Sequence, residues 1–418
     1  MEIVARPIKK VIEEALLDTP VVSILGPRQV GKSTLAKMIS PNRQYITLDD
    51  ENLLQLAFQD SSGFIQSLPE YVIIDEVQRA PNLMLAIKKS VDENRQPGRF
   101  LLTGSANILL MEQIQDSLAG RHEPIYLSPL TNHELTQTTP TNSFVDALLK
   151  GLIKPKLNAY NDTFEKLKIS VCRGGYPIPL ARTEKRASRW FTIYLEDIIN
   201  RDVPLISEVR NPNALMNLLK LCSARTASLL EINSLANDTK ISIETVKNYL
   251  ATLEKLFLVR TLPAWSPNIS KRLIKSPKLH MIDSGMICAI LKITTDDWLK
   301  KPDLFGHIIE SYTVQQIIAQ LSWVDDSIEY YHFRDQKKRE VDLVLEQQGN
   351  IWGIEMKRAT NISDQDYRGL KALANIAGEN WKGGIVFYAG DHILPGPLEN
   401  TFAMPYSVLW DGFEVDAN

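Results

Sequence analysis

Gly26-Pro27-Arg28-Gln29-Val30-Gly31-Lys32-Ser33 matches GxxxxGK[ST] in full, and it stands in the setting that gives the pattern its meaning. The apolar run Val21 to Leu25 before it reads as a buried strand. Thr34 to Ile39 after it reads as a helix, ending before Pro41. Strand, glycine loop and helix start together make an anion cradle. Glycines let the backbone curl so that successive N–H groups face a polyphosphate, and the helix N-terminus adds a favourable dipole. Gly26 through Thr34 then contact the nucleotide, Lys32 reaches the β- and γ-phosphates, and the Ser33 hydroxyl serves Mg²⁺. The alternative is a chance glycine turn, which a pattern this long in this context argues against. The expectation is a chain that binds a nucleoside triphosphate.

Composition narrows the rest. A chain of 418 residues has room for roughly two to four domains with their own cores. No apolar run approaches the ~20 residues that span a bilayer, and the start, Met1 to Pro7, lacks the apolar core of a secretion signal. Cys172, Cys222 and Cys288 show neither metal-ligand spacing nor a disulfide framework, so reduced thiols in a cytoplasmic protein with no membrane partner are expected. A net charge of −3 supplies no global attraction to nucleic acid, so any DNA contact must use local basic patches.

A second apolar strand, Tyr71 to Ile74, runs into Asp75-Glu76. Acids at the C-terminal edge of a parallel strand stand where ligands bind. Asp75 is placed to hold Mg²⁺ through water, and Glu76 to polarise the water that attacks the γ-phosphate. Phe100 to Asn107 reads as the next strand with a polar tip, where Ser105 or Asn107 would orient that water; a plain helix cap is the other reading. Arg121, just before a strand from His122 to Leu127, is either an arginine finger acting on a neighbouring copy or an ordinary salt-bridging arginine.

GPRQVGKS, YVIIDE, LLTGSAN and LAGR, in that order, resemble the AAA-type ATPases of bacteria and archaea, which are related to the STAND signalling ATPases. Arg173-Gly174-Gly175-Tyr176-Pro177 looks like the GxP motif of the STAND helical lid, and that resemblance implies adenine-side contacts for Tyr176 and Pro177. Read locally, the same residues are a turn between helices. The resemblance also decides for ATP, since no guanine-reading Asn-Lys-x-Asp element is present.

Residues 186–200 have helical periodicity, with an aromatic stripe that reads as lid core. From Leu229 to Leu262 the order helix, polar turn, helix, strand reads as a winged helix, a module that follows the lid in the ATPases this chain resembles. The second helix exposes a mixed rather than basic set, Glu244, Thr245, Lys247 and Asn248. Lys271 to Lys278 is basic and is either a wing along phosphates or part of a module that only packs between domains.

Beyond Leu304 the order is α-β-β-β-α-β: a helix to about Leu321, strands at Ile328–Phe333, Glu340–Glu346 and Ile351–Lys357, a helix near 364–376 and a strand to Tyr388. With Asp342 followed by Glu355-Met356-Lys357, this resembles the PD-(D/E)XK nuclease fold, although Val341 stands at the name-giving proline. Residues two apart on a strand point the same way, so Glu355 and Lys357 share a face. Asp342 and Glu355 would hold a second Mg²⁺, Lys357 would prepare the attacking water, and Glu310 matches that fold's accessory acid. Arg334, Lys337, Lys338 and Arg339 either grip a nucleic-acid backbone or form a solvated loop.

The expected architecture is α/β in four parts. These are a P-loop parallel-sheet ATPase domain (1–145), a helical lid (146–212), a winged helix (213–290) and a restriction-endonuclease-like α/β domain (300–418). The expected function is Mg²⁺-dependent ATP binding and hydrolysis whose nucleotide state repositions the winged helix and the nuclease-like domain at or near DNA, with a homo-oligomer among the partners considered. The other reading is an ATP-dependent switch whose last domain is catalytically inactive and binds DNA or a protein partner.

Overall fold

All five residues of strand β1 (Val21–Leu25) are buried, because the strand lies inside a sheet with neighbours on both edges. The computed structural model describes residues 3–105, 118–136, 142–157, 160–161, 163–207, 209–324 and 327–413. Strands β2 (Gln44–Thr47), β3 (Val72–Asp75), β4 (Phe100–Gly104) and β5 (His122–Tyr126) complete this sheet in the order β2-β3-β4-β1-β5, and every pair is parallel. Parallel strands covered on both faces carry continuous apolar runs, which is what Val-Val-Ser-Ile-Leu and Val-Ile-Ile supply. Val21, Leu25, Val72, Ile74, Phe100 and Leu102 join one core. Full burial of each such side chain is worth ~1.5–3 kcal/mol.

By contacts the chain divides into two compact units. The first comprises Met1–Leu130, Glu196–Pro212 and Tyr249–Leu258; the second comprises Thr131–Leu195, Asn213–Asn248 and Val259–Asn418. The boundary expected at 145 thus falls inside the second unit, and residues 196–212, assigned above to a lid, group with the first unit. Residues 249–258 join the first unit as well, where the Phe257 ring meets Tyr126 edge-on at 6.1 Å.

The second unit holds two sheets. A three-stranded antiparallel sheet has the order β6 (Ser228–Leu229), β8 (Lys278–Met281), β7 (Val259–Leu262). Helices Pro212–Ala224, Ile232–Thr239 and Ile243–Lys255 precede β7, and the short helix Ile269–Ile274 lies between β7 and β8. A six-stranded mixed sheet contains β9 (Glu329–Arg334), β10 (Glu340–Gln347), β11 (Asn350–Met356), β12 (Trp381–Tyr388), β13 (Leu394–Pro395) and β14 (Thr401–Pro405) in the order β13-β14-β12-β11-β10-β9. The β10–β11 hairpin turns through Gln348 (φ 49°) and Gly349 (φ 83°), a positive-φ pair that matches the strands' twist. Helix Pro302–Leu321 is buried along most of its length. After β7 the chain runs beside β9, with the Trp265 amide donating to the His332 carbonyl at 2.6 Å.

Candidate active site

The phosphate loop joins β1 to the helix Lys32–Ile39, and two glycines set its shape. Gly31 caps the helix at φ 101°, and a Cβ on Gly26 would lie 2.2 Å from the Leu127 carbonyl oxygen. Lys32 folds over the loop, donating to the carbonyls of Gly26 (3.0 Å) and Pro27 (2.8 Å). Burial lowers its pKa to about 8, against the upward pull of Glu76 and Asp75.

Three hydroxyls converge on the Asp75 carboxylate. Ser33 donates at 2.9 and 3.0 Å to its two oxygens, and Tyr45 and Thr103 donate to it as well. Burial and the bond to Asp75 hold the Tyr45 phenol well above its ordinary pKa. A carboxylate and hydroxyls are hard oxygen donors, so this set fits Mg²⁺. Tyr45 and Thr103 are additions to the expected pair Ser33 and Asp75; Thr103 stands near the C-terminal end of β4, but nothing in the position of Tyr45, the second residue of β2, could have suggested it.

Glu76 sits just past β3 at φ 56°, a left-handed conformation costly for a side chain of this kind. Its carboxylate accepts from Ser105 Oγ (3.0 Å) and from Gln78 Nε2, and the same amide donates to Ser105 Oγ at 2.8 Å. The structure brings Glu76 and Ser105 together through Gln78, which sequence reasoning missed. Asn107 lies outside the described residues. Arg121 is paired with Asp92 and donates to the Ala119 carbonyl at 2.9 Å.

Another connection was not foreseen. Arg28 of the phosphate loop donates to Asp202 at 3.0 Å, and Asp202 ends a π-helical stretch, Ile198–Asp202. Such stretches concentrate at functional sites. Burial raises the Asp202 pKa, Arg28 lowers it and Glu76 raises it again, so the carboxylate feels both sides of the site.

Tyr176, in the second unit, is fully buried; its hydroxyl shares a 3.0 Å hydrogen bond with Tyr194, and its ring packs against Trp190 and Phe191. Pro177 follows as the first residue of a short helix.

A second cluster forms where β8, β10, β11 and helix Pro302–Leu321 meet. Glu310, Asp342 and Glu355 are all buried. Lys278 Nζ reaches Glu310 at 2.7 Å and Asp342 at 3.1 Å, while Lys357 Nζ reaches Glu355 at 2.6 Å. The Met356 amide donates to Asp342 at 3.0 Å. Burial opposes the Lys278 ammonium, but Glu310 and Asp342 outweigh it and hold its pKa above the lysine value. Burial and Asp342 push Glu310 and Glu355 upward. Lys278 stands as a cation inside the cluster, and sequence reasoning assigned it only to a basic wing. Among the described residues no group of three or more His, Cys, Asp and Glu is placed to hold a metal ion.

The basic segments are partly engaged. Arg272 pairs with Glu346 at 2.8 Å, Arg334 with Glu340 at 3.0 Å and Arg339 with Asp335 at 2.6 Å. Helix Ile269–Ile274 exposes Ile269, Leu273 and Ile274 beside Lys271. Among the described residues no helix is long and apolar enough to cross a membrane.

Comparison with known proteins agrees with the first unit. Residues 18–136 match the family model of an AAA domain. The phosphate loop, the acidic strand end and the parallel sheet all lie within the matched residues. Residues 164–297 and 305–409 match two families described as Domain of unknown function (DUF8612 and DUF4143). Uncharacterized proteins of Mycobacterium bovis (Mb2031c) and Mycobacterium tuberculosis (Rv2008c) are each 29% identical over 393 residues, 92% of this chain and 80% of theirs. Among solved structures, the Walker-type ATPase PABY2304 of Pyrococcus abyssi aligns with a TM-score of 0.40 at 16% identity, over 68% of this chain and 94% of its own. The Thermotoga maritima RuvB Holliday junction branch migration motor aligns with a TM-score of 0.31 at 19% identity, over 62% and 90%.

Proposed function

We propose that this chain is a Mg²⁺-dependent ATP switch whose second unit, a winged helix followed by a nuclease-like sheet, recognises a partner without cutting nucleic acid. The nucleotide half of this reading is supported by the loop amides, Lys32, and the contact of Ser33 with Asp75. Bound Mg²⁺ would neutralise phosphate charge there. Glu76, held by Ser105 and Gln78, would orient and polarise the attacking water. The proposal gives Arg121 no role on a neighbouring copy, because Asp92 already engages it.

Coupling would follow the chain itself. It passes from one unit to the other inside helices Glu184–Asp197 and Ile243–Lys255, so a nucleotide-dependent shift in residues 196–212 is carried along a continuous backbone. The order of helices and antiparallel strands from 212 to 281 supports the winged-helix reading, and α-β-β-β-α-β from 302 supports the nuclease-like one.

The observation that carries the non-cleaving reading is Lys278, whose ammonium lies 2.7 Å from Glu310 and 3.1 Å from Asp342. A cation supplied by the protein takes the charge that a metal would otherwise bring, and strand pairing on β8 fixes it there. The competing reading, an ATP-regulated nuclease, is favoured by one feature: the second Glu355 carboxylate oxygen is buried with no hydrogen-bond partner. Incubating the full chain with supercoiled, linear and single-stranded DNA and Mg²⁺ or Mn²⁺ separates them. The switch reading expects no cleavage in any condition. Cleavage lost in Lys357→Ala but kept in Lys32→Ala would replace it with the nuclease.

A further inference from the structure

Cys172 and Cys288, 116 residues apart in sequence, line one cavity of about 620 Å³ in the second unit. Cys172 is the half-buried penultimate residue of helix Thr163–Arg173, and Cys288 is buried in helix Ser284–Leu291. The two helices approach closely. A Cβ on Gly285, one turn before Cys288, would lie 2.3 Å from the Arg173 carbonyl oxygen, so only glycine permits this approach. The neighbouring Cys172 thiol and burial both push the Cys288 thiol well above its ordinary range. Cys172 is the more exposed of the two sulfurs, and so the one a solute in the cavity meets first. Arg173, Arg182, Lys185 and Lys292 line the same cavity against a single carboxylate, Glu184. A partly exposed thiol among cations, with a second thiol in reach, is the arrangement that reacts with oxidants. Cys222 offers the contrast: it is buried, and burial pushes its pKa up to about 12.

We propose that Cys172 and Cys288 are a peroxide-responsive thiol pair, Cys172 reacting first and Cys288 resolving it. The Cys172 thiolate attacks a peroxide oxygen, the O–O bond breaks, and a sulfenic acid and hydroxide form; hydroxide takes a proton to become water. The Cys288 sulfur then attacks the Cys172 sulfur, the S–O bond breaks, and the departing oxygen leaves as water with the Cys288 proton. Over both steps two thiols lose two electrons and one peroxide becomes two waters. The disulfide would tie the two helices beside Asp283, which accepts from the Gly175 amide at 2.7 Å and the Met286 amide at 2.8 Å. It would thus fix the Gly174-Gly175 turn.

The test treats the reduced full chain with hydrogen peroxide, alkylates the remaining thiols and maps the peptides by mass spectrometry. Alkylatable thiols should fall from three to one, with Cys222 the survivor and a Cys172–Cys288 peptide as product. In Cys288→Ser, dimedone should trap a sulfenic acid on Cys172. In Cys172→Ser, Cys288 should stay reduced. Absence of the Cys172–Cys288 peptide from the native chain, or oxidation of Cys222 at the same rate, would overturn the proposal without variants being needed.

Discussion

Arg28 Nη1 lies 3.0 Å from Asp202 Oδ1, an ion pair that ties the phosphate loop to a π-helical stretch 174 residues further along the chain. Both side chains are partly buried, and the pair holds the loop's third residue in register with its neighbours. Asp202→Asn should loosen the loop by ~1 kcal/mol, weakening nucleotide binding about fivefold. In a double-mutant cycle with Arg28→Ala the second substitution should add little. Titration calorimetry on the four proteins reads the coupling, and full additivity would remove the pair from any part in binding.

Glu76 is the water-activating group in this account. Glu76→Gln keeps the shape and most hydrogen bonds but removes the charge, so nucleotide affinity should change by less than about twofold while turnover falls by about 10² or more. Equal turnover by the native and Glu76→Gln proteins in a phosphate-release assay would reassign the role. Gln78→Ala should lower turnover as well, because it frees Glu76 from one of its two partners.

The depressed pKa of Lys32 predicts a pH dependence. Burial brings the ammonium to about 8 in the nucleotide-free protein, and a triphosphate binds its charged form. Affinity should be flat below about pH 7 and weaken by up to about tenfold per unit above pH 8. Binding at pH 8.5 should take up a proton, which calorimetry in buffers of different ionisation enthalpy detects. The sign for stability is the opposite of a raised lysine. The nucleotide-free unit should gain stability as pH rises from about 8 toward 10.5, and the same contribution is lost as pH falls back to about 8, below which it is flat.

Lys278→Met should destabilise the second unit by about 3–5 kcal/mol, because Glu310 and Asp342 stay buried without their cation. Urea unfolding followed by fluorescence measures the shift in midpoint. A change under about 0.5 kcal/mol, the range of a surface site, would mean that Lys278 does not neutralise the cluster.

How much of this was legible depended on how local the signal is. The phosphate loop packs its chemistry into eight consecutive residues, and the strand before it is apolar throughout, so both were readable. The C-terminal strands were readable too: β10 was expected at Glu340–Glu346 and spans Glu340–Gln347. Partners that come from distant segments were not. Asp202 reads as one acid in a charged stretch, and Lys278 as one lysine of a basic run; the only hint was that Leu279 and Met281 make its strand apolar. Gln78 was within reach, two residues after Glu76, but a backbone with positive φ at Glu76 is what turns it back toward Ser105.

The most direct test is titration of magnesium-ATP into the folded chain, native and Lys32→Ala, by calorimetry. The account predicts one saturable site in the native protein and no measurable heat in the variant at the same concentrations. Identical binding by both proteins, or no binding by the folded native chain, would contradict it.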